Sequence, residues 1–261
     1  MSSTLKTSAL LALIACFLLP CLAHAQTLDS RKRFLRWAYQ DAAGLAHDFS
    51  RGHTPLYALG AMALLTPLST LDQSVDYRVG QYQGHFGNFL EFANHLGGPE
   101  MNLPVVGLFA FSLTTNDRKF QDAAFTSLQS MIYAGVLSYG VKYTIGRFRP
   151  YEQNGAHRFA PFSGRSSFPS GHTTTAFAIL TPWVLYYPHP ITYSLFAVST
   201  GTAIARVVRE KHWATDVLAG GALGFFTAYY LTKRHQSQTG RVSITPVLGF
   251  NAASVSIRVK L

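Results

Sequence analysis

KYTIGRFRP at residues 142–150, FPSGH at residues 168–172 and RVVREKHWATD at residues 206–216 are the stretches from which the rest of this chain can be read. Lys142 and Arg149 stand seven residues apart, two turns along one helical face if the helix runs on through Arg149. His212 and Asp216 stand four apart and would be neighbours on one face of a helix. Between these pairs, Pro169-Ser170-Gly171-His172 reads as a loop entering a helix, with Ser170 as its cap and the apolar run from Ala176 to Leu185 as its body. Working outward, apolar runs predict helices at Pro55 to Leu71, Leu103 to Leu113, Ala123 to Val141, Thr173 to Tyr187, Ile191 to Val208 and Thr215 to Leu231. The fold class expected is therefore all-α, a six-helix bundle to which an N-terminal region adds at most one more helix.

The residue types in the three stretches suit phosphoryl chemistry. A transferring phosphoryl group spreads its charge over equatorial oxygens, so catalysis consists largely of positioning and charge stabilisation. Arg149 and Arg206 offer forked, permanently ionised donors, and Lys142 adds a compact point charge. Free backbone N–H groups at Ser170-Gly171 would face an anion from the helix start. With both cysteines near the N-terminus and no evident serine–base pair, a neutral imidazole is the best nucleophile toward phosphorus. His212 takes that role because Asp216, one helical turn on, would hold its far ring nitrogen in the required tautomer. His172 is then the acid that protonates the leaving oxygen.

Taken together, the K-x6-R-P, PSGH and R-x5-H-x3-D patterns resemble those of the phosphatidic acid phosphatase type 2 superfamily, which also contains vanadium haloperoxidases and bacterial acid phosphatases. The resemblance runs from about Lys142 to Gly220 and points to the bacterial envelope phosphatases. It implies a helical bundle, a catalytic set of His212, His172 and Asp216, and phosphate binding by Lys142, Arg149, Ser170, Gly171 and Arg206. No metal is implied, and vanadate enters only on the haloperoxidase alternative. One departure is visible: Ala205 stands where the family usually has serine. The reaction expected is metal-independent hydrolysis of a phosphomonoester or pyrophosphate, lipid-linked as in phosphatidic acid, lipid A or polyprenyl pyrophosphate, through a phosphohistidine. The alternatives are a nonspecific acid phosphatase acting on small soluble esters and a vanadium-dependent haloperoxidase.

Outside the motifs, residues 1–25 have the form of a cleavable signal: Lys6, an apolar run from Ala9 to Leu22, then Ala23-His24-Ala25. Leu13-Ile14-Ala15-Cys16 resembles a lipoprotein processing site, but the apolar run continues past Cys16. Both cysteines, Cys16 and Cys21, fall in this segment, so the expected mature chain has neither disulfide nor thiolate site. The domains expected are the signal at 1–25, the helical domain at 26–240, and a terminal β-hairpin at 241–261. The hairpin follows from Val242 and Ile244, then Val255, Ile257 and Val259, on either side of Gly249-Phe250-Asn251. Small residues at Ala219, Gly220, Gly221, Ala222 and Gly224 predict close packing of the last helix.

The net charge of +10 is carried by a chain of which only 13% is charged. The excess gathers at Arg31 to Arg36 and in the motif region. An anionic substrate accounts for the second cluster, while the first reads as a solvated face or a contact with anionic lipid. Nucleic acid is not expected, since neither a recognition-helix pattern nor a basic strand array occurs. Arg158 and Arg165 of the link from Tyr151 to Phe168 are candidates to touch substrate. His47, His53, His85, His95 and Glu91 follow no metal-ligand spacing, and Asp72 and Asp76 read as a polar helix end. The aromatic-rich helices point to a membrane surface and a phosphorylated lipid, and the signal to a periplasmic site associated with the inner membrane. Spanning by all three helices before Lys142 would place the site in the cytoplasm and Lys233-Arg234-His235 outside, against the usual distribution of positive flanks.

Overall fold

The computed structural model describes residues 27–51, 60, 63–81, 87–239, 242–248 and 253–259. The expected signal segment, both cysteines, His53 and His85 lie outside these residues. The helices are α1 (Thr27–Arg51), α2 (Asp72–Gly80), α3 (Gly87–Gly97), α4 (Asn102–Ser112), α5 (Arg118–Ile145), α6 (Gly171–Tyr186), α7 (Pro190–Val208) and α8 (Ala214–Thr239). Strands β1 (Val242–Leu248) and β2 (Ala253–Val259) pair antiparallel, with Val242 opposite Val259, as an addition to a helical fold. Of the helix expected from Pro55 to Leu71, residues 60 and 63–68 are helical and Ser69–Leu71 forms a 3-10 turn. The bundle is thus richer than six helices. The two short helices α2 and α3 were not expected from sequence, and DQSVDYRVG, the whole of α2, contains no apolar run.

Helix α6 lies at the centre, packed against α8, α5, α7 and α3. Buried Thr173, Thr174, Ala176, Ala178 and Pro182 are spread around its circumference, as befits a helix enclosed on several sides. Glycines let α8 approach it: a Cβ on Gly220 would stand 2.5 Å from the Ser170 carbonyl oxygen, and one on Gly224 would collide with that of Thr174. On α5, the Asp117 side chain accepts from the Phe120 N–H at 3.1 Å, and Gly146 closes the helix in the left-handed conformation (φ 60). Because α5 stops there, Lys142 and Arg149 do not share a helical face; Arg149 lies beyond the helix on extended backbone.

Helix α1 seals one flank through Phe34 and Trp37, which pack with Phe109, Ala124 and Phe125. The basic run there is not simply a solvated face. Arg33 turns inward to pair with Asp122 at 2.9 Å, while Lys32 and Arg36 stay exposed. Farther along α1, buried Asp41 meets His235 at 2.8 Å and Arg234 at 2.7 Å on α8, and Gln129 at 2.9 Å on α5. The Trp37 ring stacks on the His235 ring with centroids 4.0 Å apart.

Candidate active site

Five chain segments bring the motif residues together. Lys142 comes from the last turn of α5, Arg149 from the segment after it, Ser170 to His172 from the start of α6, and Arg206 from the last turn of α7. His212 lies in the turn before α8 and Asp216 in the first turn of that helix. His172 reports their convergence, because the charges of Arg206, His212, Arg149 and Lys142 all act on it. Burial first, and those charges after it, push its pKa down to about 3.

The start of α6 is open to an anion for a specific reason. Ser170 occupies the cap position but makes no side-chain cap; its Oγ accepts from Thr173 Oγ1 at 3.0 Å instead. The first-turn N–H groups have no acceptor within the helix, so they remain available to phosphate oxygens. Beside them, Lys142 Nζ donates to the Ser166 carbonyl at 2.7 Å and to that of Pro169, two of the three hydrogen bonds an ammonium can make. Burial, then Arg149, lowers its pKa to about 8. Arg149 donates from Nη2 to Ser166 Oγ at 3.1 Å, and Arg206 from Nη1 to Asn94 Oδ1 of α3 at 2.8 Å. Ala205 sits fully buried with Leu90 and Val208, apolar surroundings in which a serine hydroxyl would gain nothing.

His212 is 2% exposed, and its geometry corrects the expected pairing. Its Nδ1 lies 2.7 Å from the Ser167 main-chain carbonyl but 3.6 Å from Asp216 Oδ2, so the carbonyl accepts the hydrogen bond. His212 precedes α8 rather than riding on it, so the one-turn helical spacing does not apply. The carbonyl acceptor places the proton on Nδ1 and leaves Nε2 as the nitrogen with a lone pair. Burial drives the imidazole down to about 4, against the favourable influence of Asp216. Asp216, itself fully buried, accepts from Ser167 Oγ, from Trp213 N–H at 2.9 Å and from Arg147 Nη1 at 2.7 Å. Burial alone would raise its carboxyl; His212, Arg147 and Ser167 together hold it below the ordinary value.

Several participants were not singled out from sequence. Arg147 sits inside the first motif but breaks no recognisable spacing. Asp72, taken for a polar helix end, is fully buried and pairs with Arg147 at 2.7 Å. Ser167, Thr215 and Asn94 were invisible because their partners are far away in sequence. Of the cover-loop candidates, Arg165 is engaged with Glu152 and lies over the Phe148 ring at 4.4 Å, and Arg158 is exposed.

Residues 123–239 match the family model of the PAP2 superfamily. Its relatives include a lipid A 1-phosphatase of Rhizobium johnstonii, 37% identical over 100 residues that make up 36% of this chain and 41% of the relative. A lipid A 1-phosphatase of Porphyromonas gingivalis is 39% identical over 101 residues, 38% of this chain and 20% of that one. The chain thus spans less than half the length of these curated relatives. Among solved structures, a transmembrane PAP2-type phosphatidylglycerolphosphate phosphatase from Bacillus subtilis superposes with a TM-score of 0.52 at 23% identity, over 70% of this chain and 97% of the other, a likeness of fold.

Proposed function

We propose that this protein is a metal-independent phosphatase that cleaves a lipid-linked phosphomonoester or pyrophosphate through a phosphohistidine on His212. The observation that carries the reading is the buried His212 ring, its Nδ1 committed to a main-chain carbonyl, in a site to which Lys142, Arg149, Arg206 and His172 all contribute. Nε2 attacks phosphorus as the bond to the ester oxygen breaks, and His172 gives that oxygen a proton. Water then attacks the phosphohistidine while His172 takes its proton back, releasing inorganic phosphate and restoring His212. The three cations and the α6 N–H groups hold the equatorial oxygens throughout. They supply the charge stabilisation that a metal supplies elsewhere, which supports the metal-free reading.

Burial, and after it the charges of Arg206, His212, Arg149 and Lys142, keep His172 neutral. A bound phosphate dianion cancels that positive field and raises the imidazole toward the range in which it carries a proton. Substrate binding therefore arms the acid.

The lipid part rests on two supports. The relatives are lipid A phosphatases by name, and the helices carry large apolar side chains outward, among them Ile132, Val136, Tyr139, Ile191, Leu218 and Phe226. Helix α7 is long and apolar enough to cross a membrane. Lipid A is accordingly the first substrate to test, at the periplasmic face of the inner membrane. The assay is phosphate release by the purified protein in EDTA from lipid A, phosphatidic acid, polyprenyl pyrophosphate and a small aryl phosphate. Lipid preference lost in His212→Ala is the expected result. Equal turnover of the aryl ester overturns the lipid assignment, activity restored only by metal overturns the metal-free mechanism, and recovery of all protein in the soluble fraction after carbonate extraction overturns membrane association.

A further inference from the structure

We propose that Asp72 and Arg147 are positioning residues of the phosphatase site, forming with Asp216 a buried charge chain that holds the Ser167 carbonyl against Nδ1 of His212. The proposal rests on the phosphatase reading for its kinetic consequences and on geometry alone for its structural ones.

Arg147 is 2% exposed, and all three of its guanidinium nitrogens are engaged. Nη1 donates to Asp216 Oδ1 at 2.7 Å and to Thr215 Oγ1 at 2.8 Å. Nη2 donates to Asp72 Oδ2 at 2.7 Å and to the Ala156 carbonyl at 2.7 Å, which also accepts from Nε at 2.9 Å. A guanidinium clasped between two carboxylates has no donor left for phosphate, which separates Arg147 from Arg149 two residues on. The Arg147 backbone also acts: its carbonyl accepts the Ser167 N–H at 3.1 Å. Arg147 thus fixes Ser167 from two sides, through its own main chain and through Asp216, which accepts the Ser167 hydroxyl. The Ser167 carbonyl that results is the acceptor of His212 Nδ1.

Asp72 anchors the outer end. Its Oδ1 accepts the Thr215 N–H at 2.9 Å, its Oδ2 accepts the Thr215 hydroxyl, and α2 thereby grips the first turn of α8. Without Asp72 the guanidinium is free to turn both forks onto Asp216, drawing that carboxylate away from Ser167. The main-chain carbonyl would then shift, and with it the imidazole, although no group that touches phosphate has changed.

The test uses Asp72→Asn and Arg147→Lys in the full-length protein, with Thr215→Val as a gentler variant that removes only the bridging hydroxyl. Three quantities are measured: kcat and KM, the affinity of inorganic phosphate for the resting site, and the 15N resonances of the His212 ring. Asp72→Asn is expected to lower kcat about 10- to 100-fold, the scale of a displacement near 1 Å at a reacting atom. KM and phosphate affinity should change less than about threefold, since the cations that grip phosphate are untouched. The His212 Nδ1 resonance should move toward that of a ring with a weakened or exchanged tautomer, with Thr215→Val showing the same changes to a smaller degree. An unchanged His212 resonance in all three variants overturns the proposal whatever turnover does, and so does phosphate affinity falling in step with kcat. Absence of turnover in the wild type would sink the phosphatase reading, while the ring resonances would still judge the positioning.

Discussion

On the proposed role of His212 as nucleophile, replacing Asp216 by Asn separates two ways a carboxylate can serve it. The native side chain accepts three hydrogen bonds, two at Oδ2 from Ser167 Oγ and Trp213 N–H and one at Oδ1 from Arg147. An amide has one oxygen and one N–H2 group, so it must oppose either the guanidinium or the Trp213 N–H with a donor. Losing a hydrogen bond to a charged group costs about 1.5–3 kcal/mol, and breaking a buried pair outright costs about 3–5 kcal/mol. Asp72 remains to hold Arg147, so the lower range applies and stability should fall by about 2–3 kcal/mol. For rate, a carboxylate that itself fixes the tautomer is worth about 10⁴ in kcat. Here the tautomer is fixed by a main-chain carbonyl that the substitution can shift but does not remove, at 2.7 Å from Nδ1 against 3.6 Å for Asp216. The expected loss is therefore nearer 10²-fold, about 2.7 kcal/mol of transition-state stabilisation, from displaced rather than deleted geometry. Steady-state kinetics beside urea unfolding measures both numbers. A loss near 10⁴ would mean that Asp216 bonds directly to His212 in the working enzyme, and unchanged rate and stability would refute the network altogether.

His212→Ala should abolish turnover yet retain phosphate binding, seen by titration calorimetry, because Lys142, Arg149 and Arg206 survive. Arg149→Lys should lower kcat/KM by about tenfold or more, since the ammonium cannot span two phosphate oxygens; parity with wild type in a steady-state assay would count against bidentate contact. Stability should fall as pH drops from 6.5 toward 4. In that window the unfolded chain binds a proton that buried His212 refuses, worth up to roughly 3 kcal/mol for a folded pKa of about 4, and the effect is absent above 6.5. Denaturant midpoints across that range, compared with His212→Gln, measure this contribution. Gly220→Ala should destabilise the fold and reduce activity together, because the new methyl meets the Ser170 carbonyl and forces α8 off the start of α6; a normal melting temperature would show that the helices yield without cost.

The long helices were legible because α5 to α8 carry apolar runs, and the glycines of α8 announced a close approach that Gly220 and Gly224 make against α6. The motif residues were legible as a set, since few other charges compete in this chain. Their local geometry was not. Gly146 ends α5 before Arg149, and the turn at Lys211 and His212 delays the start of α8, so residue spacings taken as helical were loop spacings. Asp72 and Arg147 went unrecognised because a salt bridge between residues 75 apart leaves no periodic trace. The same holds for Asn94, whose bond to Arg206 crosses 112 residues.

Helix α8 is anchored at both ends, by Asp216 in its first turn and by His235, 19 residues later and about 28 Å along the axis, which Asp41 holds from α1. The three leading helices α1, α2 and α3 all lend acceptors to the family-matched stretch, among them Asp41 to His235, Asp72 to Arg147 and Asn94 to Arg206. Homology and autonomy therefore have different borders in this chain. Residues 123–239 carry the signature of the superfamily, but cut free they would leave an imidazole and two guanidiniums with missing partners, so the smallest self-sufficient piece of this protein reaches back at least to Asp41.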